Sequence, residues 1–262
     1  MLPTIQNICI LPSYNKFENN FAHHFCTVGY CQGMNYVAGL LLLVTKDEEN
    51  AFWLLKCLIE KVLPDYYAPN IPGLISDVRV LSELIKTKCP QVHKHVESFS
   101  MPWELALSKW FMCIYSDVLP VETVLRIWDC LFYEGSKILI RVALTLVLQR
   151  QHQILMTDEF SKLVIEFKNC AADKTVVACH TFIPEVFRLS SPLPSKQVEK
   201  MRQGISMEVN KELSIQDEKR KEMKQRNENE NKAIVTDDSG EERDSDKKDL
   251  ESPQEPKKEK MI

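Results

Sequence analysis

Apolar residues recur at every third or fourth position through most of the first 190 residues, and this spacing constrains the fold more than any other feature. Leu74, Val78, Leu81 and Ile85, for example, fall on one side of a helix. The alternation of apolar and polar residues that marks a half-buried strand is missing, and seven glycines provide few hairpin turns. The sequence therefore predicts an all-α domain of about seven to nine helices.

One predicted helix, over residues 36–44, is apolar on every side. A helix of this kind is typical of a central position, and any part of its surface left uncovered should form an exposed apolar patch. Thr45 is predicted to cap the helix that follows, because the acidic residues Asp47, Glu48 and Glu49 favour a helix N-terminus there.

The C-terminal part of the chain has a different composition. Residues 195–262 contain no Phe, Trp or Tyr, and 34 of these 68 residues are charged, 16 of them basic and 18 acidic. Such a segment cannot bury enough apolar surface to offset its conformational entropy. We therefore expect a charged and largely disordered tail over residues 191–262. A solvated helix with little apolar face is possible over 196–230, and disorder is expected beyond Thr236.

Composition also excludes several kinds of function. The net charge of −4 does not support a nucleic-acid-binding surface. Nine cysteines are scattered without a Cys-x-x-Cys pair, which favours reduced thiols in a cytoplasmic protein, with no metal site and no cofactor. The longest clean apolar run, residues 40–44, is far below the ~20 residues that cross a bilayer, so no transmembrane segment is predicted.

The strongest candidates for functional polar residues lie in a short glycine-rich block. Residues 29–39 read Gly-Tyr-Cys-Gln-Gly-Met-Asn-Tyr-Val-Ala-Gly and hold three of the seven glycines. The block places Tyr30, Gln32 and Asn35 at a tight corner before the apolar helix. Two interpretations of Gln32 follow from the residues alone. Its amide can satisfy buried backbone groups at the corner, or it can face outward and take part in chemistry.

A second block lies about 90 residues further on. Residues 119–122 read Leu-Pro-Val-Glu, residues 125–129 read Leu-Arg-Ile-Trp-Asp, and residues 132–135 read Phe-Tyr-Glu-Gly. In order and separation, the two blocks together resemble the TBC domains of Rab GTPase-activating proteins. The resemblance covers residues 29–190. Residues 1–28 form an atypical lead-in, with a short helix expected near residues 17–25.

The resemblance implies an accessory protein that completes the active site of another protein, and not an enzyme in its own right. The implied partner is a GTP-bound Rab-family GTPase, through which the chain could be recruited peripherally to a membrane. In this family a glutamine finger, here Gln32, orients the attacking water from outside the GTPase. Tyr30, Gln32 and Asn35 are the implied partner-binding residues.

The family's second group, an arginine finger, has no counterpart in the expected place. The family pattern Ile-x-x-Asp-x-x-Arg lies upstream of the glutamine, but no arginine occurs before Arg79. The segment from Ile75 to Arg79 has the wrong spacing and lies downstream. The sequence thus predicts an N-terminally incomplete TBC-type domain with impaired activity. The alternatives are a catalytically inactive Rab-binding or adaptor module and, third, a helical scaffold with no GTPase partner.

Four residues of the later helices have structural interpretations. Trp128 is expected to fill the core, and Asp129 to accept a hydrogen bond from a helix end or from Arg126. Arg126 and Arg141 could be mistaken for a relocated arginine finger, but both lie in apolar helices, where charge pairing within the bundle is expected.

Overall fold

The computed structural model describes the backbone of residues 31–237 and the side-chain surroundings of residues 31–226. The lead-in over residues 1–28, the helix expected near residues 17–25, and Tyr30 lie outside these described residues. Within residues 31–237 all regular structure is helical and no strand occurs. The predicted all-α class is therefore confirmed.

Twelve α-helices and one π-helical turn follow one another in the described part of the chain. They are α1 (Met34–Thr45), α2 (Glu48–Cys57), the π-helical turn (Leu58–Val62), α3 (Pro72–Lys88), α4 (Pro90–Ser98), α5 (Trp103–Met112), α6 (Val121–Glu134), α7 (Lys137–Gln149), α8 (Gln151–Leu155), α9 (Phe160–Cys170), α10 (Lys174–Val177), α11 (Cys179–Leu189) and α12 (Ser195–Asp237). The predicted number is too low because the sequence pattern missed α4 and the short helices α8 and α10.

The core is built around α3 and α7. Helix α3 packs against α4, α5 and α7, while α6 and α11 both pack against α7. Nine of the 13 residues of α7 are buried. A helix buried on nearly all sides must be largely apolar, and residues 138–148 are apolar except for Arg141 and Thr145.

Helix α1 is not central, so the prediction for residues 36–44 is wrong on this point. Among the described helices it packs chiefly against α2. Met34 and residues 37–41 are buried, but Val44 at its end is 51% exposed, and Trp53 of α2 is 53% exposed. These two side chains match the expectation of an uncovered apolar surface on this part of the domain.

The N-cap of α2 is Asp47 and not Thr45. The Asp47 side chain accepts a hydrogen bond from the backbone N–H of Asn50 at 2.7 Å, which makes Asp47 the N-cap of α2. The Thr45 hydroxyl donates to the Leu41 carbonyl at 2.9 Å and so closes the end of α1. The predicted cap is therefore two residues too early, because the last turn of α1 already uses Thr45.

Helix α12 differs from the expected tail. Its first part buries Val198 and Val209, each 1% exposed, and Leu193 just before the helix is 3% exposed. The sequence allowed a solvated helix here with little apolar face, whereas the structure has one side of residues 195–214 packed. The chain divides into two compact units after Ser214, within this helix. Residues 238–262 lie outside the described residues.

Over the residues that the structure describes, no helix is both long and apolar enough to cross a bilayer. In the same part of the chain, no group of three or more His, Cys, Asp and Glu side chains is arranged to hold a metal ion.

Candidate functional site

Gln32 lies on a turn immediately before α1, and its side chain is exposed. The turn is closed by two backbone hydrogen bonds, from Met34 N to Cys31 O and from Tyr36 N to Gly33 O, both at 3.2 Å. Within residues 31–226 no hydrogen bond holds the Gln32 amide. Of the two interpretations of this residue, the outward-facing one agrees with its position.

Gly33, the next residue, seats this turn on the end of α5. Its φ of 99° lies in the region that favours glycine. A Cβ on Gly33 would lie 2.9 Å from Met112 Cγ and 3.3 Å from both Met112 O and Cys113 Sγ. Both the backbone conformation and the close approach to α5 therefore require glycine at this position.

The end of α5 is held by two buried side chains from other parts of the chain. The Tyr67 hydroxyl donates to the Met112 carbonyl at 2.9 Å, and Trp128 Nε1 donates to the Ile114 carbonyl at 3.0 Å. Tyr67 is 2% exposed and Trp128 is 4% exposed. The expectation that Trp128 belongs to the core is confirmed. Sequence reasoning missed Tyr67, because it lies in a proline-flanked loop with no motif around it.

The segment after α5 has an unusual backbone. Ile114 and Tyr115 have φ values of 47° and 63°, in the left-handed region that a β-branched residue such as Ile rarely adopts. Tyr115 is fully buried, and its hydroxyl donates to the Leu139 carbonyl of α7 at 2.7 Å. This segment, residues 112–115, is referred to below as the α5 end segment.

Asn35 lies in the first turn of α1, three residues after Gln32, and is partly buried. Its Oδ1 atom is buried and has no hydrogen-bond partner among the described residues. A buried carbonyl oxygen without a donor costs free energy, so Asn35 is held here at a cost to stability. Tyr30, the third predicted partner-binding residue, lies outside the described residues.

A charged pair that sequence reasoning missed lies next to this corner. Lys109 of α5 forms an ion pair with Asp117 at 2.7 Å. The hydrogen bond to Asp117 raises the pKa of Lys109, and Cys113 and Tyr36 lie close enough to add to that shift. Cys113 also lies next to Gly33, where an added Cβ would be 3.3 Å from its Sγ atom. The ion pair of Lys109 and Asp117 therefore lies on the same side of the domain as the Gln32 turn.

The two arginines considered as relocated fingers have different surroundings. Arg126 pairs with Asp129 at 3.3 Å on the surface, as expected. Arg141 donates to Ser190 Oγ at 2.8 Å and to the Leu193 carbonyl at 3.3 Å. No carboxylate among the described residues pairs with Arg141, so the prediction of charge pairing is wrong for this residue. Instead of a carboxylate, the Ser190 hydroxyl and the Leu193 carbonyl, which both follow α11 in the chain, accept its hydrogen bonds.

Comparison with known proteins places these features in a family. The model of the Rab-GTPase-TBC domain matches residues 19–156, which is more than half of the chain and includes both the Gln32 turn and the Trp128 helix. The chain belongs to the Rab-GTPase-TBC family. The α5 end segment, with its contacts to Gly33, Tyr67 and Trp128, lies inside the matched TBC domain.

Several relatives of this TBC domain carry related names. The chain is 47% identical over 202 residues to growth hormone-regulated TBC protein 1 of Xenopus laevis, covering 76% of this chain and 59% of the relative. It is 48% identical over 184 residues to the Homo sapiens protein of that name, covering 70% and 55% respectively. The chain thus spans between half and three fifths of the length of these relatives.

Two solved structures share the fold of this TBC domain. The Chlamydomonas flagellar RabGAP TBC domain superimposes with a TM-score of 0.60 at 31% identity, over 71% of this chain and 61% of that one. The Ypt/Rab-GAP domain of Gyp1p superimposes with a TM-score of 0.59 at 19% identity, over 68% of this chain and 65% of that one. The second comparison concerns the fold alone.

Proposed function

We propose that this TBC domain accelerates GTP hydrolysis by a GTP-bound Rab-family GTPase, with Gln32 supplied in trans as the glutamine finger. The observation that carries the proposal is the exposed Gln32 side chain, on a turn whose neighbour Gly33 is seated against α5. An amide both donates and accepts hydrogen bonds, so it can hold a water in line with the γ-phosphate. The hydrolytic site itself belongs to the GTPase.

The surface around Gln32 would form the contact with the GTPase. Asn35 is partly exposed beside Gln32, and Lys109 and Asp117 offer one charge of each sign. We include Tyr30 in this surface on the strength of the family resemblance. Membrane contact would come through the GTPase, and the proposed place of action is the cytoplasm.

The chain alone is expected to be a weak activator. No arginine precedes Arg79 in the sequence, and Arg79 itself pairs with Glu212 at 2.7 Å and with Glu104 at 3.7 Å. An arginine finger contributes about 10³–10⁵ to the hydrolysis rate, equivalent to roughly 4–7 kcal/mol. A well-placed glutamine does not replace a contribution of that size.

The alternative is a Rab-binding or adaptor module that does not accelerate hydrolysis. The same absence of an upstream arginine favours it. In that case the surface around Gln32 would still bind the GTP-bound protein. Affinity and rate therefore have to be measured separately.

Single-turnover GTP hydrolysis by a panel of Rab proteins tests the proposal, with and without the chain at saturating concentration. We expect a small acceleration for at least one Rab, which Gln32→Ala, measured at its own saturating concentration, returns to the intrinsic rate. Gln91→Ala is the matched control and should keep the full rate. Gln91 is also an exposed glutamine, but it lies in the first turn of α4.

Three results would contradict parts of the proposal. Binding without any acceleration would favour the adaptor module. Acceleration that Gln32→Ala does not reduce would remove the glutamine finger from the mechanism. An acceleration as large as that of an activator with both fingers would contradict the expectation of impaired activity.

A further inference from the structure

The hydrogen bond of Tyr67 contributes to the geometry of the turn that carries Gln32. Tyr67 lies in the loop between the π-helical turn and α3, 45 residues before Met112. Its buried hydroxyl reaches across to donate to the Met112 carbonyl at 2.9 Å. This same carbonyl oxygen would lie 3.3 Å from a Cβ on Gly33. One backbone oxygen thus links the phenol to the residue next to the glutamine.

The α5 end segment needs such support because its backbone is strained. A left-handed conformation costs an L-residue roughly 1–2 kcal/mol, and Ile114 and Tyr115 both adopt it. Strained conformations persist only where the surroundings fix them from several directions. Here the Tyr67 hydroxyl holds the carbonyl on one side of Cys113, and Trp128 Nε1 holds the carbonyl of Ile114 on the other.

A shift of this segment would be passed on to Gln32. Gly33 has no free space towards Met112 and Cys113, so the turn rests directly on the segment. A finger that orients a water acts through its position, and a displacement of about 1 Å in a catalytic group can cost on the order of 10² in rate.

We infer that Tyr67 is a positioning residue for Gln32: its hydroxyl fixes the Met112 carbonyl and, through Gly33, the geometry with which the glutamine meets the nucleotide. Trp128 acts on the same segment from the other side. The inference rests on the proposed function, because it assigns Tyr67 a role in the action of Gln32.

Tyr67→Phe removes only the hydroxyl and is the direct test. The acceleration at saturating chain, taken as the maximal rate minus the intrinsic rate, is expected to fall at least about tenfold, while the concentration that gives half of the maximum stays within about twofold. Thr123→Val is the matched control, because it also removes a buried hydroxyl that donates to a backbone carbonyl, that of Val176 at 2.6 Å. Thr123→Val should keep the rate.

A second measurement does not depend on turnover. Backbone ¹⁵N relaxation should report a lower order parameter at Gln32 and Gly33 in Tyr67→Phe than in the unchanged chain, with no such change in Thr123→Val. If Tyr67→Phe does not fold, as judged by urea denaturation, Trp128→Phe replaces it in both measurements, since it withdraws the other donor to the segment.

The outcomes separate this inference from the proposed function. If Gln32→Ala lowers the rate but Tyr67→Phe behaves like Thr123→Val in rate and relaxation, the positioning role is wrong and the glutamine finger stands. If Gln32→Ala leaves the rate unchanged, the proposed function fails and the role assigned to Tyr67 fails with it. A relaxation change at Gln32 would then show only that Tyr67 orders the turn.

Discussion

Asp77 and Arg202, separated by 125 residues in the sequence, form a partly buried ion pair between α3 and α12. Arg202 Nη2 donates to Asp77 Oδ2 at 2.8 Å, its Nε donates to the other oxygen, and the Tyr66 hydroxyl donates to Oδ2 as well. Asp77 is 1% exposed. Its carboxylate is therefore balanced by a residue that the composition alone assigns to the tail.

Arg202→Met is expected to lower the free energy of unfolding by about 3–5 kcal/mol, because it leaves the Asp77 charge buried and without its cation. Urea denaturation measures this loss. Arg79→Met is the matched control, since Arg79 also joins α3 to α12, through Glu212 at 2.7 Å, but at the surface. An exposed pair contributes less than about 1 kcal/mol. Equal losses for the two variants would contradict the account.

The local pattern of the sequence predicted the helical class and much of the domain. Apolar spacing identified α3, α6 and α7, because each of these helices shows its buried side within a few turns of chain. It also placed Trp128 in the core. These successes concern residues whose surroundings follow from helical periodicity.

The same reasoning failed where the deciding contact comes from far along the chain. The composition of residues 195–214 indicates a solvated segment, yet Val198 is buried in the core and Arg202, 22% exposed, pairs with the buried Asp77 of α3. The central position expected for residues 36–44 belongs to α7, because which apolar helix lies inside depends on packing and not on its own composition.

The candidate site, too, could be predicted from the sequence only in part. The glycine-rich block identified Gln32 and placed it at a corner. The residues that hold this corner, Tyr67 and Met112, come from two separate elements, and their hydrogen bond has no sequence pattern. The pair of Lys109 and Asp117 was missed for the same reason.

Gly33→Ala should destabilise the domain more than an alanine at another glycine with positive φ. Gly135 has a φ of 84°, but a Cβ there would meet no atom within 4 Å. Gly135→Ala therefore measures a backbone strain without overpacking, at a φ of 84° and a ψ of −176° compared with 99° and −23° at Gly33. We expect Gly33→Ala to lose about 1–3 kcal/mol more, from overpacking against Met112. Urea denaturation of both variants gives this difference. Equal losses would show that the close contact between Gly33 and α5 does not add to the cost of a side chain at this position.

Stability is expected to fall as the pH rises above 9. Burial raises the pKa of Cys89 and of Cys113 to about 11, and that of Cys170 to about 12, from the usual 9.0. The unfolded chain releases these protons near pH 9 and the folded chain holds them. Their contribution is therefore fully present below pH 9 and is lost as the pH rises towards 11, by up to about 1.4 kcal/mol per pH unit for each thiol.

Urea denaturation at pH 8.5, 9.5 and 10.5 measures this dependence. Cys113→Ala removes one of the three thiols and should make the decline less steep. A free energy of unfolding that stays constant or increases over this range would contradict the assignment of these thiols to the folded interior.

The central claim, that Gln32 acts at the nucleotide of a GTPase, is tested most directly by the structure of the complex. The chain would be crystallised with the Rab protein that it binds most tightly, loaded with GDP and aluminium fluoride. We expect the Gln32 side-chain amide within hydrogen-bonding distance, about 2.7–3.2 Å, of the water in line with the fluoride group. A complex in which Gln32 points away from the nucleotide, with no contact to that water, would contradict the account.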